Sequence, residues 1–181
     1  MNKKIIAIAA MVLACGSAKQ ADAFMYLGVG AGSSSTSIKV DGSRDSYNSS
    51  PSYVLAAGIS APVPFVSIRG EVEYANLNSS KDSIDVETSG VGLNGYVGLP
   101  LLPIVKPYVG FGLANMSTTI KSSDFKSKTD TAVVPQYMVG LDISVPLVPV
   151  AGGIEYRFTD ASYTGMNVQV QSVLLKGRFS F

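Results

Sequence analysis

The segment Phe65-Val66-Ser67-Ile68-Arg69-Gly70-Glu71-Val72-Glu73-Tyr74-Ala75 decides the fold of this chain. Its side chains alternate in character: Val66, Ile68, Gly70, Val72 and Tyr74 have one parity, and Ser67, Arg69, Glu71 and Glu73 have the other. Successive side chains of a strand point to opposite faces. This period of two therefore predicts a β-strand with one apolar face and one charged face.

The same alternation recurs along the chain. Eight segments are predicted, at 24–35, 52–61, 65–76, 86–99, 105–117, 132–145, 150–159 and 167–181. No run of about eighteen apolar residues follows Phe24, so no membrane-spanning helix is predicted. Only 15% of the residues are charged, against about a quarter in a typical soluble domain, which favours an outer surface facing lipid. Strands closed into a barrel then satisfy the backbone polar groups.

The predicted connections alternate between two kinds. Three are short and contain proline, at 61–64, 99–103 and 145–149, and four are longer and polar, at 39–51, 76–85, 118–131 and 160–165. Short turns at one end and long loops at the other are typical of outer-membrane barrels, whose short turns are periplasmic. The pattern predicts an all-β fold: an eight-stranded antiparallel up-and-down transmembrane β-barrel at residues 24–181.

Residues 1–23 have the pattern of a secretory signal peptide. Lys3 and Lys4 precede the apolar run 5–15, and a small-x-small site ends at Ala23. Cleavage is predicted between Ala23 and Phe24. A second reading stays open, because Val12-Leu13-Ala14-Cys15 resembles a lipobox, in which cleavage would leave a lipidated Cys15.

Three segments carry a family resemblance. Lys106-Pro107-Tyr108-Val109-Gly110-Phe111-Gly112, Ile154-Glu155-Tyr156-Arg157-Phe158 and Gly177-Arg178-Phe179-Ser180-Phe181 resemble the small outer-membrane β-barrel domain family. That family includes the opacity-type surface proteins and the transmembrane half of outer-membrane protein A. The resemblance implies an eight-stranded barrel, located in the bacterial outer membrane, whose loops mediate surface contact.

The last predicted strand resembles the assembly signal of outer-membrane barrels. Leu175, Gly177, Phe179 and Phe181 share the lipid-facing parity, and Phe181 ends the sequence. We expect these four residues to be recognised by the barrel-assembly machinery.

Charged residues fall on the inward parity of the predicted strands. The lumen is expected to hold four cations and four anions: Arg69, Glu71, Glu73, Asp142, Glu155, Arg157, Lys176 and Arg178. A cation at the lipid face near mid-bilayer costs about 2–4 kcal/mol, which fixes the register of these strands. Inward glycines such as Gly110 and Gly140 are expected to make room for the long charged side chains. An eight-stranded barrel is narrow enough to be filled by side chains, so a packed polar lumen is predicted.

Composition narrows the function classes. The sequence has no histidine, which removes imidazole metal sites and Ser-His-Asp triads, and its net charge of +1 gives no sign of nucleic-acid binding. We therefore expect a protein without enzymatic activity, cofactor or metal. It is expected to be a monomer surrounded by lipid and lipopolysaccharide. The predicted function is a structural surface protein whose loops contact lipopolysaccharide or a host surface. The alternatives are a narrow porin-like channel for water or small solutes and a soluble lipocalin-like carrier with the barrel faces reversed.

Overall fold

The computed structural model describes residues 24–40, 43–63, 65–81, 84–99, 104–122, 125–144, 148–163 and 166–181. The predicted signal peptide and its cleavage site at Ala23 lie outside them. Eight strands are present: β1 (Phe24–Val40), β2 (Ser43–Val63), β3 (Val66–Lys81), β4 (Ile84–Gly98), β5 (Val105–Ser122), β6 (Phe125–Ser144), β7 (Val150–Tyr163) and β8 (Met166–Ser180). Within these ranges no helix is long and apolar enough to cross a membrane.

The strands form a closed antiparallel barrel in chain order. Each strand pairs with the next, and β8 returns to β1 over a register that runs from Tyr26–Ser180 to Lys39–Asn167. Closure leaves no sheet edge at the level where lipid would surround the wall. The predicted fold class is confirmed.

The apolar parity of every strand faces outward. Leu93 and Val29 are 66% and 59% exposed, whereas charged residues of the opposite parity, such as Arg157, are buried. The outer apolar positions end in aromatic pairs toward the long hairpins, where the rings of Tyr53 and Tyr74 lie 6.4 Å apart. This arrangement excludes the lipocalin-like alternative, because a soluble carrier would have its apolar parity inside.

The prediction of four long polar loops is wrong. Most of the residues at 39–51, 76–85, 118–131 and 160–165 continue the strands as paired hairpins. Thus β3 runs to Lys81 and pairs with β4 up to Ile84. Beyond the lipid the outward face of a strand contacts water and becomes polar, whereas inward residues such as Leu77 stay buried. The outward apolar alternation therefore disappears while the strand pairing continues. A polar composition was therefore mistaken for a loop.

The turn between β2 and β3 contains one residue with left-handed backbone geometry. Phe65 has a φ of 67° and is 88% exposed. A non-glycine residue in this region costs roughly 1–2 kcal/mol. The strand predicted to begin at Phe65 therefore begins at Val66.

One seam of the barrel is shorter than the others. The pairing of β6 with β7 ends at Gln136–Thr159, although both strands continue beyond it. By contrast, β4 and β5 pair as far as Ile84–Ser122. Pro135 lies next to the last β6 pair, and a proline has no N–H to donate to a ladder. The hairpins β5–β6 and β7–β8 thus separate from each other above this level.

The end of β8 completes the closure. Phe179 pairs with Leu27 on one side and Val150 on the other, and the Phe181 N–H donates to the carbonyl oxygen of Met25 at 2.9 Å. The rings of Phe179 and Phe181 stack on the outer face with centroids 6.4 Å apart. The predicted assembly residues therefore present an outward apolar surface at the closing strand.

We predict that the double variant Phe179→Ala, Phe181→Ala lowers the amount of folded barrel in the outer membrane several-fold, because the closing strand loses both outward rings. Folded protein is measured as the fraction that changes its gel mobility on boiling. The matched control is Val29→Ala, Leu93→Ala, which removes outward side chains from other strands and should have a smaller effect. Equal folded yields in both double variants would contradict the prediction.

Candidate functional site in the barrel lumen

A buried ion cluster occupies the middle of the lumen. Arg157 is fully buried and donates two hydrogen bonds to the carboxylate of Glu73, one of them from Nη2 to Oε2 at 2.9 Å. Its Nη2 also donates to Oε1 of Glu155 at 2.7 Å. Glu73 is 84 positions away in sequence, so the pair joins β7 to β3 across the barrel. Bidentate arginine–carboxylate contacts are among the stronger polar interactions in proteins.

Lys176 of β8 ties the rest of this cluster together. Its Nζ lies 3.1 Å from Glu71, 3.2 Å from Glu73 and 3.3 Å from Glu155. An ammonium group has three N–H donors, and here each faces a carboxylate. We call Glu71, Glu73, Glu155, Arg157 and Lys176 the central cluster.

Three tyrosines that the sequence analysis overlooked complete the cluster. The hydroxyls of Tyr26 and Tyr96 donate to Glu71 at 2.8 and 2.6 Å, and that of Tyr108 donates to Glu155 at 3.0 Å. Strand parity alone would have found them, because each shares the inward parity of its strand. They were missed because the inward parity was searched for charged residues and glycines and not for aromatic ones.

A second ion cluster lies nearer the end of the barrel with the short turns. Arg69 Nη1 and Arg178 Nη2 each lie 2.9 Å from the same oxygen of Asp142, Oδ2. The Arg69 guanidinium carbon is 4.7 Å from the ring centres of both Tyr96 and Tyr108. We call Arg69, Asp142 and Arg178 the mouth cluster. All eight charged residues predicted for the lumen are thus found there, in two groups.

The two clusters carry opposite net charge. The central cluster has three carboxylates and two cations, and the mouth cluster has two cations and one carboxylate. The overall balance of four against four expected from the sequence therefore conceals a separation of charge along the barrel axis. Tyr96 and Tyr108, in edge-to-face contact with ring centres 5.6 Å apart, lie between the clusters.

The expectation of a lumen filled only by polar groups is wrong for the half toward the long hairpins. Nine residues form a buried apolar cluster there, which we call the apolar layer: Val54, Ala75, Leu77, Ala114, Met116, Val134, Val168, Val170 and Leu174. They occupy the inward parity beyond the charged positions, as β3 shows by running from Glu73 to Ala75 and Leu77. Hydrophobic packing therefore fills much of this section, together with buried polar residues such as Ser34 and Ser172, whose hydroxyl oxygens lie 2.8 Å apart.

Some inward glycines, such as Gly28 and Gly30, adjoin the charged side chains of Arg178 and Lys176, but others make room for aromatic rings. A Cβ atom at Gly110 would lie 2.5 Å from the Tyr96 ring, and one at Gly140 would lie 2.5 Å from the Tyr108 ring. The expectation that these glycines make room for charged side chains is corrected at both positions. The glycines let each ring lie flat against the wall and direct its hydroxyl to a carboxylate of the central cluster.

Comparison with known proteins decides the family. The model of the outer membrane protein beta-barrel domain family matches residues 6–179. The chain belongs to this family. No significant match occurs among curated protein sequences.

Two solved structures show the same fold. Neisserial surface protein A superposes with a TM-score of 0.68 at 17% identity, covering 87% of this chain and 97% of that one. Ail, the attachment invasion locus protein of Yersinia pestis, in complex with the heparin analogue sucrose octasulfate, superposes with a TM-score of 0.53 at 13% identity, covering 86% and 99%. This outer-membrane protein is accordingly located in the bacterial outer membrane, with lipid around its apolar face.

We predict that Arg157→Met destabilises the barrel by about 3–5 kcal/mol, because Glu73 and Glu155 lose a buried counterion. Adding Glu73→Gln should recover much of that loss, since it restores the net charge of the central cluster and removes the carboxylate left without its partner. The free energy of unfolding is measured by urea titration in lipid vesicles.

The matched comparison is Arg157→Met with Glu71→Gln, which gives the central cluster the same net charge. Glu71 has no described contact with Arg157, so the recovery should be smaller. Equal recovery in both double variants would show that net charge, and not the Arg157–Glu73 pair, controls stability.

Proposed function

We propose that this outer-membrane protein is a closed surface barrel, without enzymatic activity, whose extracellular hairpins contact lipopolysaccharide or a host surface. The observation that carries the proposal is the filled lumen. Two successive barriers, the central cluster and the apolar layer, occupy the interior of a wall whose hairpins extend beyond the lipid. Because the interior is filled, contact with other molecules is expected at the outer surfaces of the barrel.

The length of the hairpins supports a role outside the membrane. The outward apolar parity of β1 ends near Ala31, and the strand continues through eight more residues, Ser33–Val40. At about 3.3 Å per residue these add about 26 Å of strand, or roughly 19 Å of height at a tilt of about 45°. Such a wall reaches beyond the lipid headgroups.

The composition of the β5–β6 hairpin suggests the chemistry of the partner. The sequence places Lys121, Lys126 and Lys128 around its tip, against Asp124 and Asp130. Clustered lysines attract phosphate and sulfate groups. Lipopolysaccharide phosphates and sulfated host polysaccharides carry such groups, and Ail, which shares the fold, was solved with a heparin analogue.

Biogenesis follows from the same proposal. We infer that residues 1–23 are removed after Ala23, leaving Phe24 as the first residue of β1. The barrel-assembly machinery is the proposed partner of Leu175, Gly177, Phe179 and Phe181. The protein then acts as a monomer, because closure of the wall leaves no unpaired strand edge at lipid depth.

Binding is tested with purified lipopolysaccharide and with sucrose octasulfate. We predict that Lys121→Ser, Lys126→Ser, Lys128→Ser weakens binding on the order of a hundredfold, because three charges near an anionic surface, each contributing about 1 kcal/mol, are removed. The matched control is Lys39→Ser, Arg44→Ser, Lys81→Ser, which removes three cations from other hairpins. Unchanged affinity in the first triple variant, or equal losses of affinity in both triple variants, would show that the β5–β6 hairpin is not the specific contact.

Conductance separates the proposal from the porin-like alternative. We predict that the purified protein in planar lipid bilayers shows no steady unit conductance, because any ion must pass both the central cluster and the apolar layer. The comparison variant is Leu77→Ser, Leu174→Ser, which introduces polar groups into the apolar layer and keeps the central cluster. This variant is more sensitive to any residual ion passage. Steady conductance of the unmodified protein would favour the channel function.

A further inference from the structure

A cavity opens at the periplasmic mouth of the barrel. It measures about 130 Å³ and lies between the mouth cluster and the short turns. Its charged lining consists of Arg69, Lys106, Asp142 and Arg178, and its other lining residues include Tyr26, Tyr108 and four serines. An apolar cavity of about 150 Å³ holds a benzene molecule, so this one has room for a phosphate or carboxylate group.

The lining has an excess of positive charge. Asp142 is its one carboxylate, against two arginines and a lysine, and it engages both arginines through the single atom Oδ2. Each guanidinium has five N–H donors. In the described part of the chain, one hydrogen bond or ion pair is seen for Arg69 and one for Arg178. Most of their donors are thus left for another acceptor.

Lys106 adds to this excess. It pairs with Asp142 in the ladder between β5 and β6, yet among the described ion pairs Asp142 is engaged by Arg69 and Arg178 and not by Lys106. The carboxylates of the central cluster do not offset the mouth charge by contact, because they engage Arg157 and Lys176. By direct ion pairing the mouth therefore keeps an excess of positive charge.

The arginines are held in fixed positions by aromatic rings. Arg69 lies between Tyr96 and Tyr108, and the guanidinium carbon of Arg178 is 5.6 Å from the ring centre of Tyr26. A planar guanidinium held in one orientation presents paired donors that fit the two oxygens of a carboxylate or phosphate. The mouth therefore has the charge, the donors and the rigidity that an anion site requires.

We propose that the periplasmic mouth binds a small oxyanion, a phosphate or carboxylate group, among Arg69, Lys106 and Arg178. The bound group accepts hydrogen bonds from the free N–H groups of the arginines and from the serine hydroxyls of the lining. Asp142 competes with it for the positive charge of the same two arginines, so the charge of Asp142 sets the affinity. This site is independent of the extracellular contact proposed above.

The test is a titration of the detergent-solubilised protein with inorganic phosphate, followed by ³¹P line broadening and by isothermal calorimetry. Sodium chloride at equal ionic strength controls for screening, and an acetate arm distinguishes carboxylate from phosphate recognition. We expect saturable binding of phosphate or acetate. Arg178→Gln and Lys106→Gln should each weaken it about tenfold, the size of one charge-assisted hydrogen bond. Lys81→Gln, at the far end of β3, should leave it unchanged.

The direction in which Asp142→Asn changes anion affinity distinguishes the two interpretations. If an anion competes with Asp142, this variant binds phosphate or acetate more tightly than the unmodified protein. If the arginines serve only to neutralise Asp142, the variant loses stability and gains no anion binding. Should Asp142→Asn fail to fold, the Arg178→Gln and Lys106→Gln titrations still decide. Absence of saturable binding beyond the chloride control, or unchanged binding in both of those variants, overturns the proposal.

Discussion

Every feature of this barrel depends on the requirement that each backbone N–H and C=O group in lipid find its partner within the chain. The pairing of β8 with β1 meets that requirement by removing the sheet edges. Once the wall is closed, strand alternation assigns one parity to lipid and the other to a lumen only a few side chains wide. Charged residues can then lie only inside, and each must find a counterion there, as Arg157 does with Glu73.

The residues that fill the lumen lie in separate sections along the barrel axis. The central cluster has an excess of carboxylate, the mouth cluster has an excess of guanidinium, and a pair of tyrosines lies between them. Above the central cluster the filling becomes largely apolar, with buried polar residues such as Ser34 and Ser172 among it. Ion pairing and hydrophobic packing therefore dominate at different depths of the same cylinder. This division is the observation on which the proposed surface role rests.

The sequence alone was sufficient for the strand count, the direction of each face and the eight lumen charges, because lipid penalises a misplaced charge strongly. It could not identify contacts across the lumen. Arg157 meets Glu73 rather than a sequence neighbour because of the stagger between opposite strands, which local patterns do not encode. The long hairpins were missed for a different reason. Where the outward face contacts water, residues such as those of Ser33–Val40 lose their outward apolar parity but keep their pairing, and Ser34 and Thr36 stay buried on the inward face.

The short seam between β6 and β7 has a consequence for the shape of the molecule. Pairing stops at Gln136–Thr159, next to the outward pair Tyr137–Phe158. Below this level the wall is a cylinder; above it the described strands form an open sheet with β6 and β7 as its two margins. Water can solvate such margins and lipid cannot. Both margins therefore belong to the end of the barrel that carries the long hairpins.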